Sequence, residues 1–393
     1  MGLGTWLKVA VVALISVALL GFATSPVVHQ AAWDGIKDIT DLEVFIGDIP
    51  GIDIDDDVNG DVEEPDFLYS QNAVLNATHT ITIDAENSTI KDFIIRVVNP
   101  EDVHDGQGGW LQEASSINYT LDPQKAFSNE SGVNASRGGG AWMEGFMNET
   151  YDFQAEGPVT VAFSYNVTSY FAYWPDAGQQ SGNLNDIDQW LLDTHLGEML
   201  WDRSGVEEVG YEPDNVEIQN LAQQIVGDEE NVYEILRLIF QWIYEEIEYS
   251  AGHPQLKTVE ETLADRSGDC DDQSTLFISL ARAVGVPAWM QMGMLYYSAV
   301  DQWEHHAWVR TNIPGVGNVT IDQSNDEFLL NAPNRIITYT DTGEPHLMND
   351  FYNYVGIVTD EADPDWRVED TLTPEYHQAS SEDVTVPYSH MRW

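Results

Sequence analysis

The sequence predicts an α+β protein in which an antiparallel, β-sandwich-like domain precedes a helical region that leads into further strands. From Phe67 to Trp174, short runs of alternating apolar and polar residues are separated by Gly- and Asn-rich turns, a pattern typical of antiparallel sheets. From Val232 onward, apolar residues recur at three- and four-residue intervals, which predicts helices. Alternation returns between Val286 and Tyr354, so the second region should combine both types of structure.

These changes of pattern divide the chain into six predicted parts. They are a signal peptide or membrane anchor (1–30), an acidic linker (31–66), a β-rich and glycosylated domain (67–175), a connecting segment (176–219), an α+β domain (220–358) and an acidic C-terminal tail (359–393). One helix is predicted within the connecting segment, near Ile187–Trp201. The β-rich domain carries no recognisable chemistry, so we expect it to act as a spacer or in adhesion.

Acidic residues dominate the charge of the chain: its 393 residues include 67 Asp and Glu against 15 Lys and Arg, a net charge of −52. They are spread among apolar residues in every segment, so a disordered acidic tail does not account for them. Such self-repulsion becomes tolerable when salt shortens the Debye length to about 3 Å at 1 M. We therefore expect a salt-requiring protein of a halophile, with an ordinary acidic protein as the alternative. No basic patch is present to neutralise phosphates, which argues against nucleic acid as a partner.

The N-terminus carries a targeting segment. The run Val9–Ala23 is apolar except for Ser16, follows Lys8, and ends in small residues suited to signal-peptide cleavage. If it is not cleaved, the run continued to Val28 is long enough to cross a bilayer. Both outcomes place the remaining chain outside the membrane, either anchored by a single span or secreted. Eight Asn-x-Ser/Thr sequons agree with this placement: Asn76, Asn87, Asn118, Asn129, Asn134, Asn148, Asn166 and Asn318.

A short string in the linker resembles the start of a calcium loop. Asp55, Asp57 and Asn59 follow its D-x-D-x-N-G pattern, and Asp66 falls at the twelfth position, where glutamate is expected. No helical pattern flanks the string, and Pro65 is awkward within it. Because acidic sequences produce such strings by chance, an ordinary linker is the preferred interpretation. We predict no cofactor and no other metal site, since H-E-x-x-H does not occur.

The single cysteine lies where a helix should begin. After Cys270, apolar residues recur at helical spacing until Gly285, and Pro287 forbids continuation. Backbone N–H groups and the helix dipole at such an N-terminus favour a thiolate, the nucleophilic form of cysteine. The neighbouring acidic residues act against this, because negative charge raises the pKa of a thiol. Upstream, Thr258 and Glu261 form a capping box that opens a short helix.

A predicted hairpin downstream supplies a histidine and a carboxylate. The segment 304–311 alternates as a strand, 312–316 is turn-like, and 318–322 alternates again. Symmetrical pairing about this turn places Arg310 opposite Asn318 and His306 opposite Asp322, within reach of one hydrogen bond. His305 would point to the other face. Together with the thiol, His306 and Asp322 make the set needed for cysteine nucleophilic catalysis, although each alone could be a structural residue.

The same residues carry a family resemblance. The string Gly268-Asp269-Cys270, with its downstream Leu276-Phe277 and Arg282-Ala283, resembles the nucleophile motif of the transglutaminase-like superfamily. The strands His306-Ala307-Trp308-Val309 and Ile321-Asp322 are similar to its histidine and aspartate strands. The resemblance covers roughly residues 220–355 and indicates an archaeal-type halophilic surface member. It implies a papain-like fold with Cys270, His306 and Asp322 at the triad positions, and activity on amide bonds.

Two positions depart from that family pattern. Trp289 stands where many relatives have arginine. A second oxyanion donor beyond the Cys270 N–H is not assignable from the sequence, because the candidate Trp242 lies on the apolar face of a predicted helix and fits a core position. Our leading hypothesis is an extracytoplasmic thiol hydrolase of peptide, amide or isopeptide bonds, acting on a protein or peptide substrate at the cell surface. The alternatives are a protein-glutamine cross-linking transglutaminase, which shares the thioester intermediate, and a non-catalytic surface-binding module.

Overall fold

A computed structural model describes residues 67–84, 90–122, 133–136, 141–146, 158–203, 206–250, 256–297, 302–359, 367–379 and 383–386. The predicted targeting segment, the linker and its calcium-loop string at Asp55, Asp57, Asn59 and Asp66 lie outside these residues. Within the described part of the chain, no helix has the length and apolar character needed to cross a membrane.

The elements run in chain order from a β-rich region into a mixed region and back. The strands are β1 (Phe67–Ser70), β2 (Asn72–Asp84), β3 (Ile90–Asn99), β4 (Val103–His104), β5 (Trp110–Asp122), β6 (Val133–Ser136), β7 (Ala141–Phe146), β8 (Val159–Tyr170), β9 (Ala172–Tyr173), β10 (Met199–Arg203), β11 (Val206–Tyr211), β12 (Glu248–Tyr249), β13 (Ser267–Gly268), β14 (Ala288–Tyr297), β15 (Gln302–Ile313), β16 (Gly317–Asp322), β17 (Glu327–Phe328), β18 (Leu330–Asn331), β19 (Arg335–Thr340), β20 (Val355–Thr359), β21 (Arg367–Ala379) and β22 (Asp383–Val386). The α-helices are α1 (Ala177–Gln180), α2 (Gln189–His195), α3 (Val216–Val226), α4 (Val232–Glu246), α5 (Val259–Asp265), α6 (Cys270–Ala283) and α7 (Pro345–Tyr352). Single 3₁₀ turns occur at Leu184–Asp186 and Gln323–Asn325.

Two antiparallel sheets form the β-rich region. One has the strand order β21-β2-β8-β5-β4 and the other β20-β3-β7-β6. Side chains along β2 and β8 alternate strictly between buried and partly buried, as expected for strands that bury one face. The buried faces meet in a core that includes Leu75, Phe163 and Ile95. The alternating sequence pattern therefore predicts this region correctly.

The C-terminal segment differs from the expected irregular tail. The strand β21 pairs along the whole length of β2, from Ala73 opposite Ala379 to Asp84 opposite Arg367, and β22 pairs with β1. The strand β20 likewise joins β3. Its acidic residues and Pro374 give β21 no recognisable strand pattern in the sequence. However, β21 is the edge strand of its sheet, where proline and charged residues are both tolerated. The β-rich region is thus built from both ends of the described chain.

In the mixed region, helices pack against a separate five-stranded antiparallel sheet. Its strand order is β17-β16-β15-β14-β19. The helix α6 is buried along most of its length, and Leu276, Phe277 and Leu280 join a core shared with α4 and β14. Burying a side chain of this size contributes about 1.5–3 kcal/mol. This core fixes α6, and with it Cys270, against the central strands.

The two regions share their apolar interior. The core of the β-rich region also contains Met294, Trp303 and Ile336, which lie on the sheet of the mixed region. Conversely, Val98 of β3 belongs to the core of the mixed region. The β-rich region is therefore packed directly against the sheet that carries His306.

The predicted helices are reproduced with one shortening. The helix α4 covers the predicted apolar face, and α5 begins at the predicted capping box of Thr258 and Glu261. In the connecting segment, the helix predicted near Ile187–Trp201 is limited to α2, and β10 follows it. The residues of β10 pair with β11, so a tertiary contact overrides the local helical spacing.

The hairpin of β15 and β16 pairs in a register two residues away from the prediction. Arg310 faces Thr320 rather than Asn318, and Asn312 faces Asn318. The turn is shorter than expected, because Ile313 already pairs with Gly317. A shift of two residues keeps every side chain on its predicted face, since side chains alternate with a period of two. His306 is consequently not opposite Asp322 but diagonal to it.

Candidate functional site

Local sequence places Cys270 at the first position of α6. Asp269 caps the helix: its carboxylate accepts from the Asp272 N–H, and the Asp272 carboxylate accepts in return from the Asp269 N–H. Gly268 precedes the cap, and a Cβ atom there would lie 2.7 Å from the Asp272 Cβ, so only glycine fits. The thiol is thereby held half-buried at the N-terminus of a buried helix.

A buried histidine and carboxylate lie on the neighbouring strands. His306 Nε2 is 2.9 Å from Asp322 Oδ2, and both side chains are buried. The diagonal arrangement suffices for this bond, because neighbours two residues off the direct pair remain within reach of long side chains. With Nε2–H donating to Asp322, Nδ1 of His306 is the nitrogen that can accept a proton.

Asn325 completes the hydrogen bonding around Asp322. Its Nδ2 donates to Asp322 Oδ2 at 3.0 Å and lies 2.9 Å from His306 Nε2, because both groups donate to the same oxygen. Ser324 donates to the other oxygen at 3.0 Å. The 3₁₀ turn that follows β16 supplies both residues. Sequence reasoning missed Asn325, although its position three residues after Asp322 is a usable signal.

A buried arginine and glutamate lie behind Asp322. Arg335 is 3.4 Å from Asp322 Oδ2, forms a short ion pair with Glu327, and covers the Trp308 ring at 4.9 Å. Burial opposes ionisation of Asp322, but His306, Arg335 and Asn325 together hold its pKa below the usual range. Burial raises the pKa of Glu327 to about 8, against the attraction of Arg335. The carboxylate that faces His306 is therefore the one kept ionised.

Hydrogen bonds connect helix α6 with strand β15 beside the Cys270 thiol. The backbone N–H of Ala307 donates to the Cys270 sulfur, which favours the thiolate. Ser274 Oγ donates to the Cys270 carbonyl at 2.7 Å and lies 3.5 Å from the Ala307 carbonyl. Burial nevertheless raises the pKa of Cys270 well above its ordinary value, and the charges of Asp271 and Asp269 raise it further. The expected opposition of the neighbouring aspartates is thus present in the structure.

One cavity of about 350 Å³ contains both the thiol and the histidine. Cys270 and His306 line it, together with Asp269 and Asp271. The β-rich region contributes further lining residues, and α7 contributes aromatic ones. The structure thus brings Cys270 and His306 to one space and hydrogen-bonds His306 to Asp322.

Three other residues singled out in the sequence make packing contacts with neighbouring side chains. Trp242 packs at the edge of the core with the Arg266 guanidinium 5.3 Å above its ring, and Trp289 stacks on His195 at 4.5 Å. His305 does not hydrogen-bond to Asp322 in the way His306 does; its ring meets His79 at 5.2 Å, inside the same cavity.

One group of possible metal ligands is found among the described residues. The ligand atoms of Asp269, Cys270 and Asp271 lie within 4.8 Å of one another. Both carboxylates already have partners, because Asp269 caps α6 and Asp271 accepts a hydrogen bond from the Tyr352 hydroxyl at 3.2 Å. This group is therefore explained without an ion.

Tyr249 is a residue near the site that sequence reasoning did not assign a role. The strand β12 pairs in parallel with β13, which sets Tyr249 beside Gly268, just before the cysteine. Partial burial raises the pKa of Tyr249, which is 44% exposed, and the nearby charge of Cys270 raises it further. The phenol therefore stays protonated at neutral pH and can donate a hydrogen bond.

Comparisons with known proteins agree with this architecture. Residues 219–323 match the model of the Transglutaminase-like superfamily, whereas the curated proteins give no match for this chain. A protein from Cytophaga hutchinsonii proposed to be a cysteine protease is 17% identical, with a TM-score of 0.54, over 79% of this chain and 93% of its own.

Two further solved structures are similar at lower scores. The periplasmic domain of TgpA from Pseudomonas aeruginosa is 15% identical, with a TM-score of 0.30, over 61% of this chain and 89% of its own. LapG from Legionella pneumophila is 20% identical, with a TM-score of 0.26, over 33% of this chain and 83% of its own. The fold shared with the Cytophaga protein and the family match at 219–323 give the same result: the chain carries a transglutaminase-like domain, preceded by a β-rich region.

Proposed function

We propose that the protein is a thiol-dependent acyl-transfer enzyme that hydrolyses peptide, amide or isopeptide bonds, with Cys270 as nucleophile, His306 as base and Asp322 as the group that orients it. The observation that supports this most directly is the 2.9 Å contact between His306 Nε2 and Asp322 Oδ2, made by a histidine that lines the same cavity as the single thiol. A core histidine would not need an ionised carboxylate on one nitrogen and an open cavity on its other side.

The chemistry follows from these positions. His306 Nδ1 takes the thiol proton while the Cys270 sulfur attacks the carbonyl carbon of the substrate. The C–N bond breaks as the imidazolium returns that proton to the leaving amine, and a thioester remains on Cys270. Water then attacks the thioester, giving its proton to His306. The C–S bond breaks, the acid product leaves, and the proton returns to the sulfur.

Two donors are proposed to stabilise the oxyanion formed in each attack. The first is the backbone N–H of Cys270, at the positive end of α6. The second is the Tyr249 hydroxyl, because the pairing of β12 with β13 sets Tyr249 beside Gly268, two residues before the thiol, and the phenol is protonated at neutral pH. Removing one such donor typically lowers kcat by about 10²–10³-fold. The variant Tyr249→Phe should lose turnover to this extent while Cys270 still reacts with alkylating agents.

The pH dependence of Cys270 alkylation tests the proposal. Because the chain has one cysteine, iodoacetamide reports on Cys270 alone. Burial and the neighbouring aspartates raise the pKa of Cys270, so a thiolate below pH 8 requires the His306 imidazolium to outweigh them. We expect a fast reaction that persists below pH 8 in molar salt and is lost in His306→Ala. The control is His346→Ala, which removes an exposed histidine on α7. Slow alkylation that follows an ordinary thiol titration in all three proteins would refute an activated nucleophile.

Hydrolysis is preferred over amine transfer, and a direct competition separates them. Both routes share the thioester and differ in whether water or an amine attacks it. Incubation with fluorescent amines and protein acyl donors should release product without labelling. Dominant label transfer would assign a cross-linking transglutaminase instead. A Cys270→Ala protein that keeps every cellular phenotype would favour the third candidate, a surface-binding module.

We further propose that the protein works outside the membrane as an archaeal-type halophilic surface protein. The apolar run Val9–Ala23, the sequons and the net charge of −52 support this proposal. Glycan analysis and membrane fractionation of the native protein test the placement, and activity measured from about 0.1 to 4 M salt tests the salt requirement. Maximal activity at the lowest salt would contradict a halophilic protein.

A further inference from the structure

The β-rich region forms part of the cavity that holds the thiol. Besides residues of the transglutaminase-like domain, the cavity is lined by His79 of β2, Arg96 and Val98 of β3, and Tyr165 of β8. A role as a spacer does not explain why residues of this region line the cavity that holds Cys270. A wall contributed by a second region is well placed to select what reaches Cys270.

The cavity is less acidic than the chain as a whole. Over the whole sequence, 67 acidic residues face 15 Lys and Arg and 10 His. Among the residues that line the cavity, two are acidic, Asp269 and Asp271, whereas four carry a guanidinium or an imidazole. Burial also raises the pKa of Asp269 to about 7, so this carboxyl is partly neutral near pH 7. An anionic group that the surface of this protein repels would meet a less negative environment here.

Arg96 is the one Lys or Arg among the described residues that line the cavity. It lies two residues from Val98 on β3, so both side chains share the strand face that meets the transglutaminase-like domain. Its Nη1 is 3.4 Å from Asp350 Oδ1 and 3.4 Å from the Asn353 carbonyl oxygen. These contacts with α7 and the residue after it hold the guanidinium at the cavity wall, where Asp350 compensates part of its charge and 24% of the side chain is exposed.

We infer that Arg96 is a specificity-determining residue that binds a carboxylate of the acyl donor, so that the preferred substrate is a peptide carrying a carboxylate close to the amide bond that is cleaved. A guanidinium suits this task because its planar fork matches a carboxylate and does not lose its charge. The apolar remainder of the cavity, including Met292, Met294 and Phe351, would hold the neighbouring hydrocarbon. This inference rests on the proposed function of the same site.

A pair of alkylating agents of similar size tests the inference without any turnover. Iodoacetate carries a carboxylate and iodoacetamide does not, and both react with Cys270 alone. We expect the ratio of the iodoacetate rate to the iodoacetamide rate to fall about fivefold or more in Arg96→Gln, at the lowest salt concentration at which circular dichroism shows the wild type and the variant to be folded. Arg96→Lys should keep most of the ratio, since it keeps the charge. Arg367→Gln is the matched control, because Arg367 lies on β21 of the same region and pairs with Asp84 at 3.5 Å.

Protection experiments then identify the source of the carboxylate. Peptides with Glu or Gln beside the scissile amide, and with a free or an amidated C-terminus, compete with iodoacetamide for Cys270. Better protection by the Glu peptide assigns a side-chain carboxylate, and better protection by the free C-terminus assigns a main-chain carboxylate; in either case Arg96→Gln should remove the advantage. An unchanged reagent ratio in Arg96→Gln, or equal protection by all peptides, overturns the inference. The proposed function fails separately, through the pH dependence of the iodoacetamide rate itself.

Discussion

Replacing Asp322 by asparagine tests whether its negative charge, rather than its shape, supports the thiolate. The change keeps the size of the side chain and removes the charge 2.9 Å from His306 Nε2. Two unit charges about 4 Å apart interact by about 4 kcal/mol at an effective dielectric constant of 20. Arg335 also interacts with Asp322, so the effect on His306 should be smaller than this value. We expect the substitution to destabilise the ion pair of Cys270 thiolate and His306 imidazolium by about 3 kcal/mol. That loss corresponds to a rise of about 2 in the apparent pKa of the Cys270 thiol.

The assay is the rate of iodoacetamide alkylation from pH 5 to 10 in molar salt. At neutral pH, Asp322→Asn should react about 100-fold more slowly than the wild type, and the two should converge at high pH. The control is Asp265→Asn, which removes an exposed carboxylate paired with Lys257. Circular dichroism must show that both variants are folded, because Arg335 is buried beside the changed site. A folded Asp322→Asn protein with the wild-type pH profile would refute the role given to Asp322.

Three further predictions concern the charges and packing around the site. Because Asp271 raises the pKa of the Cys270 thiol, Asp271→Asn should speed alkylation at pH 7, most clearly at low salt, and a slower reaction would contradict the electrostatic reasoning. Burial raises the pKa of Asp269 to about 7, above the unfolded value of about 3.9, so its contribution to stability is lost as the pH rises from about 4 to 7. Asp269→Asn, which can still cap the helix, should flatten the fall of Tm over that range in thermal unfolding. Leu280 is fully buried, and Leu280→Ala should lower the free energy of unfolding by about 2–5 kcal/mol in urea titrations, with a loss below 1 kcal/mol arguing against a tight core.

Sequence patterns predicted the parts of the fold that rest on local signals. The capping box of Thr258, the boundaries of α6 and the alternation of β2 all arise from neighbouring residues, and all are present in the structure. The face of His306 was also predictable, because alternation fixes it whatever the register. The register itself was not, since it depends on the length of the turn, and one tight turn moved the pairing by two residues.

Features that depend on distant partners could not be read from the sequence. The strand β21 is acidic and contains Pro374, and only its pairing with β2 makes it a strand. Arg335 and Glu327 carry no local signal for a place behind Asp322, because β19 and β17 come together only in the folded sheet. The same holds for the cavity wall at Arg96, which is remote in sequence from Cys270.

The closing of the β-rich region by strands from both ends of the described chain has a consequence for biosynthesis. Asp84 and Arg367, which meet at the end of the β2 and β21 pair, are 283 residues apart. A ribosome makes β2 long before β21, so β2 waits with an open edge until the whole transglutaminase-like domain has been synthesised. The N-terminal sheet therefore completes its folding last, although its first strands emerge first. Because His79 of β2 lines the cavity, the docking of β21 completes the sheet behind this part of the cavity wall, and acylation of Cys270 that needs this wall should follow the synthesis of β21.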